Sequence, residues 1–144
     1  MNNALPVSIL LVEDDPGHAK LITRNLQRAN INNNLIHFPN GQEVLDYLHN
    51  ETHRNAQYLM LLDLNMPVMD GYQVLQHLKS DRSTQRIPVI ILTTTDDQRE
   101  VNRCYDLGCN VFLTKPIDPD SFSQAIQKLG LLLSIVTIPE KEGN

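Results

Sequence analysis

The sequence predicts an α/β domain with a five-stranded parallel sheet and helices on both faces, and two observations support this fold class. Short apolar runs recur along the chain, at residues 7–12, 35–38, 58–62, 87–92 and 111–113. They are continuous and not alternating, which is typical of strands that are covered on both faces. Segments with helical periodicity lie between them, and this alternation favours parallel strands joined by right-handed crossovers.

Each helical segment begins at a polar capping residue. The predicted starts are Asp15-Pro16, Asn40-Gly41, Asp70-Gly71, Asp96 or Asp97, and Asp118-Pro119. In the first and the last of these, proline occupies the first helical position, where its missing N–H is tolerated. Gly108 follows the apolar positions of the fourth segment, and we expect it to end that helix in a left-handed conformation.

Length, charge and hydropathy narrow the class of protein. The 144 residues fit one domain, placed at 1–144 with a core at about 7–129, an apolar extension at 130–139 and a flexible tail at 140–144. The net charge of −5 argues against nucleic acid as a partner, because phosphate backbones require a basic surface. No apolar run reaches the roughly 20 residues of a membrane-spanning helix, and residues 1–6 do not resemble a secretory signal. We therefore expect a cytoplasmic protein that contacts neither nucleic acid nor membrane.

Polar side chains follow the predicted strands at the points where these strands end. Glu13 and Asp14 come after the first strand, Asp63 after the third, Thr93 after the fourth and Lys115 after the fifth. In an open parallel sheet the ligand site lies beyond the carboxyl ends of the strands. We expect these carboxylates, the hydroxyl and the ammonium group to meet at one edge of the sheet.

Clustered carboxylates repel one another unless a cation lies among them. Carboxylate, carbonyl and water oxygens suit Mg²⁺, which takes few protein ligands. Asp14 and Asp63 are the expected ligands, with the backbone carbonyl of Asn65 as a third and Glu13 acting through water. The neighbouring Asp15 is expected to serve only as the helix cap.

A carboxylate can also be the nucleophile of phosphoryl transfer and form an aspartyl phosphate. Asp63 ends the central strand and is followed by the turn Asn65-Met66-Pro67, which favours it for that role. The Thr93 hydroxyl and the Lys115 ammonium would then bind phosphoryl oxygens. Lys115-Pro116 is a candidate for a cis peptide bond that would aim the lysine inward, although most such bonds are trans.

Four motifs in order resemble the receiver domains of bacterial two-component response regulators. They are ILLVEDDP (9–16), LLDLNMPVMDG (61–71), PVIILTTT (88–95) and FLTKP (112–116). Each motif alone is weakly specific, but together they cover about residues 7–129. The resemblance implies a flavodoxin-like, doubly wound sheet of strand order 2-1-3-4-5 with five helices. It also implies a phosphorelay switch that is not an enzyme beyond slow self-dephosphorylation.

The resemblance also implies a role for each residue that matches a motif. Glu13 and Asp14 match the acidic pair, Asp63 the phosphoacceptor, Asn65 the metal-binding carbonyl, Thr93 the switch hydroxyl, Phe112 the switch aromatic and Lys115 the invariant lysine. In this family phosphorylation draws the hydroxyl inward and moves the aromatic ring, which biases a two-state equilibrium of the face formed by helix 4, strand 5 and helix 5. One departure is Thr94, which is bulkier than the residue often found there and would narrow access to Asp63.

The implied partners are a sensor histidine kinase and a second copy of the chain. The segment LGLLLSIVTIP (129–139) is unusually apolar, and it is either a helix packed on the domain or an interface. Its end resembles the small response regulators that partner phytochrome kinases. This implies a phytochrome as the kinase and a homodimer through helix 4, strand 5, helix 5 and the C-terminal segment.

Three alternatives share the predicted fold. A pseudo-receiver would bind proteins without phosphorylation, and loss of Asp14, Asp63, Thr93 or Lys115 would favour it, but all four are present. A metal-dependent hydrolase with an aspartyl nucleophile usually carries D-x-D after its first strand, where this chain has Glu13-Asp14-Asp15. A flavin-binding protein would need a phosphate loop rich in Ser, Thr and Gly after that strand.

Overall fold

The computed structural model of the protein describes residues 7–53, 56–116 and 118–137, with residues 130–137 described as helix backbone alone. The strands are β1 (Val7–Val12), β2 (Leu35–Phe38), β3 (Gln57–Asp63), β4 (Val89–Thr93) and β5 (Val111–Thr114). The helices are α1 (Pro16–Arg28), α2 (Gly41–His49), α3 (Gly71–Ser80), α4 (Gln98–Leu107) and α5 (Pro119–Thr137), with a short 3₁₀ turn at Glu51–His53.

The five strands form one parallel sheet in the order β2-β1-β3-β4-β5, which confirms the predicted fold class and strand order. The register aligns the carboxyl ends of the central strands: Val12 lies beside Leu62, and Asp63 lies beside Leu92. Residues that follow these strands are therefore brought to one edge of the sheet.

A cluster of buried apolar side chains covers each face of the sheet. Leu10 and Val12 of β1 pack with α2, α3 and α4, whereas Ile9 and Leu11 pack with α1 and α5. Because successive strand residues point to opposite faces, a strand that is buried on both faces needs an apolar side chain at every position. This explains why the strands are continuous apolar runs in the sequence.

The fourth strand begins later than the sequence predicted. The apolar run at 87–92 suggested a strand from Ile87, but β4 starts at Val89 and extends to Thr93. Proline has no N–H for a sheet ladder, so Pro88 only contributes its carbonyl, which accepts from the Met60 N–H at 2.9 Å. Because β4 is shifted toward the C-terminus relative to the predicted run, Thr93 is the last residue of the strand.

The predicted helix starts are correct, and the fourth helix uses Asp97 and not Asp96 as its cap. The side chains of Asp15, Asn40, Asp70 and Asp97 all accept backbone N–H groups of the first helical turn. These bonds satisfy donors that a helix otherwise leaves unpaired. Gly108 ends α4 with φ of 107°, as its position predicted.

The fifth helix runs to Thr137, so most of the predicted extension at 130–139 continues this helix. The side chains of 130–137, the predicted tail at 140–144 and residues 1–6 lie outside the described residues. Among the helices of the described ranges, none combines the length and apolar character required to cross a membrane.

Candidate functional site

The predicted site residues meet at the carboxyl edge of the sheet. Glu13 and Asp14 follow β1, Asp63 and Thr93 end β3 and β4, and Lys115 follows β5. Three of them are almost withdrawn from solvent, with exposed fractions of 1% for Glu13, 6% for Asp63 and 0% for Thr93. Asp14 is exposed, so the acidic cluster opens to solvent on its side.

Three carboxylates lie close enough to share one cation. Oxygen atoms of Glu13, Asp14 and Asp63 all lie within 4.8 Å of one another. Hard divalent cations bind such all-oxygen sets, and without a cation the like charges repel. The donor set therefore fits a magnesium-type ion, while the part of the Asn65 carbonyl in binding it stays a prediction.

Lys115 supplies the positive charge of the site. Its ammonium forms a salt bridge with Glu13 Oε1 and lies 3.8 Å from Asp63 Oδ1. The backbone N–H of Lys115 donates to the Thr93 carbonyl at 2.6 Å, which ties the end of β5 to β4. The Lys115–Pro116 peptide bond is cis.

The Asp63 carboxyl has a raised pKa of about 6. Burial is the largest cause, and the nearby negative charge of Glu13 adds to it, while the Lys115 ammonium opposes the shift. The protein therefore holds a carboxylate at this position whose charge its own residues do not fully compensate. A cation bound among the carboxylates would supply the missing compensation.

Asn65 contacts the Thr93 hydroxyl through its side chain, which the sequence did not predict. Its Nδ2 donates to Thr93 Oγ1 at 3.3 Å, and its backbone N–H lies 3.5 Å from Asp63 Oδ1. Asn65 thus links the carboxylate through its backbone N–H and the hydroxyl through its side-chain amide. A hydrogen-bonding residue at this position could be read from the sequence, but its partner could not.

The loop between β3 and α3 is closed tightly against Asp63. The Gly71 N–H donates to the Leu64 carbonyl at 2.9 Å, and a β carbon on Gly71 would lie 2.5 Å from the Asp63 carbonyl oxygen. Only glycine fits this approach. In the same loop Val68 has a left-handed φ of 70° and is 88% exposed, an unfavourable conformation for a β-branched residue.

Phe112 lies at the junction of β5 and α4. Its ring is half-buried against the core, and its backbone N–H donates to Tyr105 Oη of α4 at 3.2 Å. The predicted switch aromatic is therefore coupled to α4 through a tyrosine that the sequence analysis did not single out. The contact of the Tyr105 hydroxyl depends on how α4 packs against β5, and no local sequence pattern predicts it.

Thr95 and Thr94 differ in their surroundings. Thr95 accepts a hydrogen bond from the Asp97 N–H and donates to Glu100 Oε2, each at 3.2 Å, so it holds the segment before α4 against the first turn of that helix. Thr94 is exposed and borders a cavity of about 190 Å³ beside the site. This cavity is lined by Thr94 with His18, Leu21, Ile22, Asn25, Lys115 and Pro116.

His18 is a second residue that the sequence analysis missed. Its Nδ1 lies 3.0 Å from the Lys115 Nζ, although the two residues are 97 positions apart. The available signal was its place in the first turn of α1, one helical turn after the acidic residues that follow β1. That spacing brings it to the site edge but does not reveal the lysine contact.

The strand order is 2-1-3-4-5, and carboxylates, a hydroxyl and a lysine meet at the carboxyl edge of the sheet. This combination is typical of one class of α/β signalling domain, and comparison with known proteins gives the same class. Residues 9–127 match the family model described as response regulator receiver domain. The chain belongs to the response regulator receiver domain family.

Relatives of known structure cover nearly the whole chain. A receiver domain from Rhodospirillum rubrum is 48% identical, with a TM-score of 0.75 over 95% of this chain and 100% of its own. The phosphorylated cyanobacterial phytochrome response regulator RcpA is 32% identical, with a TM-score of 0.73 over 94% and 99%. Response regulator Rcp1 of Synechocystis is 33% identical over 93% of this chain and 94% of its own, and its structure is known in a Mn²⁺-bound form.

Proposed function

We propose that the protein is a phosphorelay switch that accepts a phosphoryl group on Asp63 from a sensor histidine kinase. One observation carries this proposal: the buried Asp63 carboxylate belongs to a cluster of three carboxylates and lies 3.8 Å from the Lys115 ammonium. Such a site offers a carboxylate nucleophile, a cluster of oxygen atoms that can bind a metal ion, and a lysine ammonium. Phosphoryl transfer requires all three.

In the proposed transfer a carboxylate oxygen of Asp63 attacks the phosphorus atom. The P–O bond to Asp63 forms, and the bond between phosphorus and the donor's histidine nitrogen breaks, with its electron pair going to that nitrogen. Lys115 and Thr93 bind phosphoryl oxygens, one as a charge and the other as a hydroxyl donor. The residues bind and orient, and no general base is required because Asp63 is ionised near neutral pH.

The proposed cofactor is Mg²⁺, held by Asp14 and Asp63 directly, by the Asn65 carbonyl, and by Glu13 through water. When bound it neutralises charge on the phosphoryl oxygens. The compact oxygen cluster supports this assignment, and Rcp1, which binds Mn²⁺ in its solved structure, is a relative of this chain. Since Glu13 Oε1 is paired with Lys115, an indirect role suits it better than direct ligation.

The proposed switch begins at Thr93. To bind a phosphoryl oxygen, the Thr93 hydroxyl, which accepts from Asn65 Nδ2, must turn its own O–H toward Asp63, and this reorientation moves the end of β4. Phe112 and Tyr105 then change their contact, and the face of α4, β5 and α5 is altered. Phosphorylation thus biases an equilibrium between two arrangements of that face.

The finer proposals concern partners. RcpA, a phytochrome response regulator, supports a phytochrome as the kinase, and the proposed location of this protein is the cytoplasm. The face of α4, β5 and α5 with the C-terminal segment is the proposed homodimer interface. The net charge of −5 supports protein and not nucleic acid as the target of the output.

Intact mass after incubation with acetyl phosphate tests the proposal. We expect a gain of one phosphoryl group that requires Mg²⁺ and is absent in Asp63→Asn. The variant is a matched control because it keeps the size of the side chain. No gain in folded wild-type protein would reject the phosphoacceptor function and favour a pseudo-receiver that binds partners without phosphorylation.

A further inference from the structure

His18 contacts three of the charged residues around the phosphoacceptor site. Its Nδ1 lies 3.0 Å from Lys115 Nζ and 4.0 Å from Glu13 Oε2, and its Nε2 lies 3.9 Å from Asp15 Oδ2. The first turn of α1 places the ring, because the Asp15 carboxylate accepts the backbone N–H groups of Gly17 and His18. The imidazole therefore stands between the start of α1 and the lysine ammonium.

The contacts determine which ring nitrogen carries the hydrogen. An ammonium group only donates, so the contact with Lys115 requires a lone pair on Nδ1 of His18. The ring hydrogen then belongs on Nε2, which faces the carboxylate of Asp15. At 3.9 Å this carboxylate acts through its charge and favours that tautomer.

The ammonium of Lys115 has three N–H donors to distribute. Glu13 Oε1 takes one and His18 Nδ1 takes a second. The third is left for the side of Asp63, whose Oδ1 lies 3.8 Å away. Two fixed bonds on a tetrahedral group determine where the remaining donor points.

We propose that His18 is a positioning residue for Lys115, holding the ammonium so that its remaining N–H is aimed at the position of the incoming phosphoryl group. This inference rests on the phosphoacceptor function proposed above and adds a residue to the same site. His18 does not touch the reacting atoms and acts only through Lys115.

Packing alone does not explain the place of His18. Its side chain is 45% exposed, so the ring adds little to the core. Leu21 borders the same cavity and is 42% exposed, but it has no polar atom for Lys115. Leu21→Ala is therefore a matched control that alters the cavity wall and leaves the lysine contact in place.

Rates of Asp63 phosphorylation by acetyl phosphate with Mg²⁺, followed by intact mass, test the proposal in the 144-residue chain. His18→Phe keeps the ring but removes the acceptor, and we expect its rate to fall about tenfold, the effect of one lost bond to a charged group. His18→Asn places an acceptor near the position of Nδ1 and should restore most of the rate. Leu21→Ala should react like the wild type.

A double-mutant cycle in urea unfolding without Mg²⁺ tests the contact independently of phosphorylation. His18→Phe should destabilise the wild type more than it destabilises Lys115→Ala, because the partner is already absent there. Additive effects, or His18→Phe and His18→Asn reacting at the wild-type rate, would overturn the positioning role. Failure of the wild type to take up phosphate would instead reject the proposed function, while the cycle would still decide the contact.

Discussion

The Asp63 carboxyl makes the folded protein less stable as the pH rises. Its pKa is about 6 in the folded protein, whereas an aspartate side chain exposed to water has a pKa of 3.8. The folded state therefore binds the proton more tightly than the unfolded state does. The unfavourable contribution is absent below pH 3.8, grows as the pH rises, and is complete above pH 6. Burying the charged Asp63 carboxylate therefore lowers the free energy of unfolding at neutral pH.

Asp63→Asn should consequently stabilise the metal-free protein at neutral pH. At pH 8 we expect its free energy of unfolding to exceed that of the wild type by about 2 kcal/mol, because the amide carries no charge to bury. The gap should close below pH 4. Urea unfolding followed by circular dichroism at several pH values measures it, and an equal gap at all pH values would contradict the charge explanation.

Mg²⁺ should stabilise the folded protein through the carboxylates of the site. A cation that binds only the folded state raises the free energy of unfolding by about 2.7 kcal/mol when its concentration is a hundred times its dissociation constant. We expect this gain in the wild type, and its loss on chelation with EDTA. Asp14→Asn, which removes an exposed ligand and leaves the buried residues intact, should show little gain; a full gain would remove Asp14 from the proposed ligands.

Among the elements, the loop from β3 to α3 combines a required glycine with a strained valine. Gly71 cannot carry a β carbon because the Asp63 backbone is too close, and three residues earlier Val68 adopts a left-handed conformation. The close approach of Gly71 to the Asp63 backbone fixes where this loop ends. The Met69 N–H donates to the Pro67 carbonyl at 2.7 Å, so a tight local turn encloses Val68 and holds its backbone in this conformation.

Val68→Gly should relieve that strain. The left-handed conformation costs an ordinary residue about 1–2 kcal/mol, part of which glycine returns through its greater freedom in the unfolded chain. We expect a net stabilisation of about 1 kcal/mol in urea unfolding. Val68→Ala is the control, since it shortens the side chain but keeps the β carbon; equal gains in both variants would place the cost in the exposed side chain instead.

The sequence predicted the elements and the sheet edge at which the polar residues gather more reliably than it predicted contacts between side chains. Caps such as Asp15 and Asp70 act within one turn, so a local pattern is sufficient to find them. The meeting of Asp63, Thr93 and Lys115 followed from parallel topology alone. The contacts of His18 with Lys115, of Asn65 with Thr93 and of Tyr105 with Phe112 depend on rotamers and helix packing, which no local pattern determines. The later start of β4, in contrast, could have been predicted from Pro88, which has no N–H for the sheet ladder.

Across the whole molecule, the hydroxyl of Thr93 is the proposed connection between the phosphoacceptor and the output face. Thr93→Ala should still accept a phosphoryl group on Asp63, since the nucleophile and the carboxylates remain. The amide resonance of Phe112 reports on its bond to Tyr105, and we expect phosphorylation to shift it in the wild type but far less in the variant. An equal shift in both proteins would show that the face responds by another route.

The salt bridge between Glu13 and Lys115 joins positions 102 residues apart. It closes only when the last strand has taken its place at the edge of the sheet. Until then Glu13 has no lysine to pair with, and the Lys115 ammonium is not beside Asp63. If Asp63 is phosphorylated as proposed, a chain still leaving the ribosome should accept no phosphoryl group from small donors until Lys115 has folded into place beside Asp63.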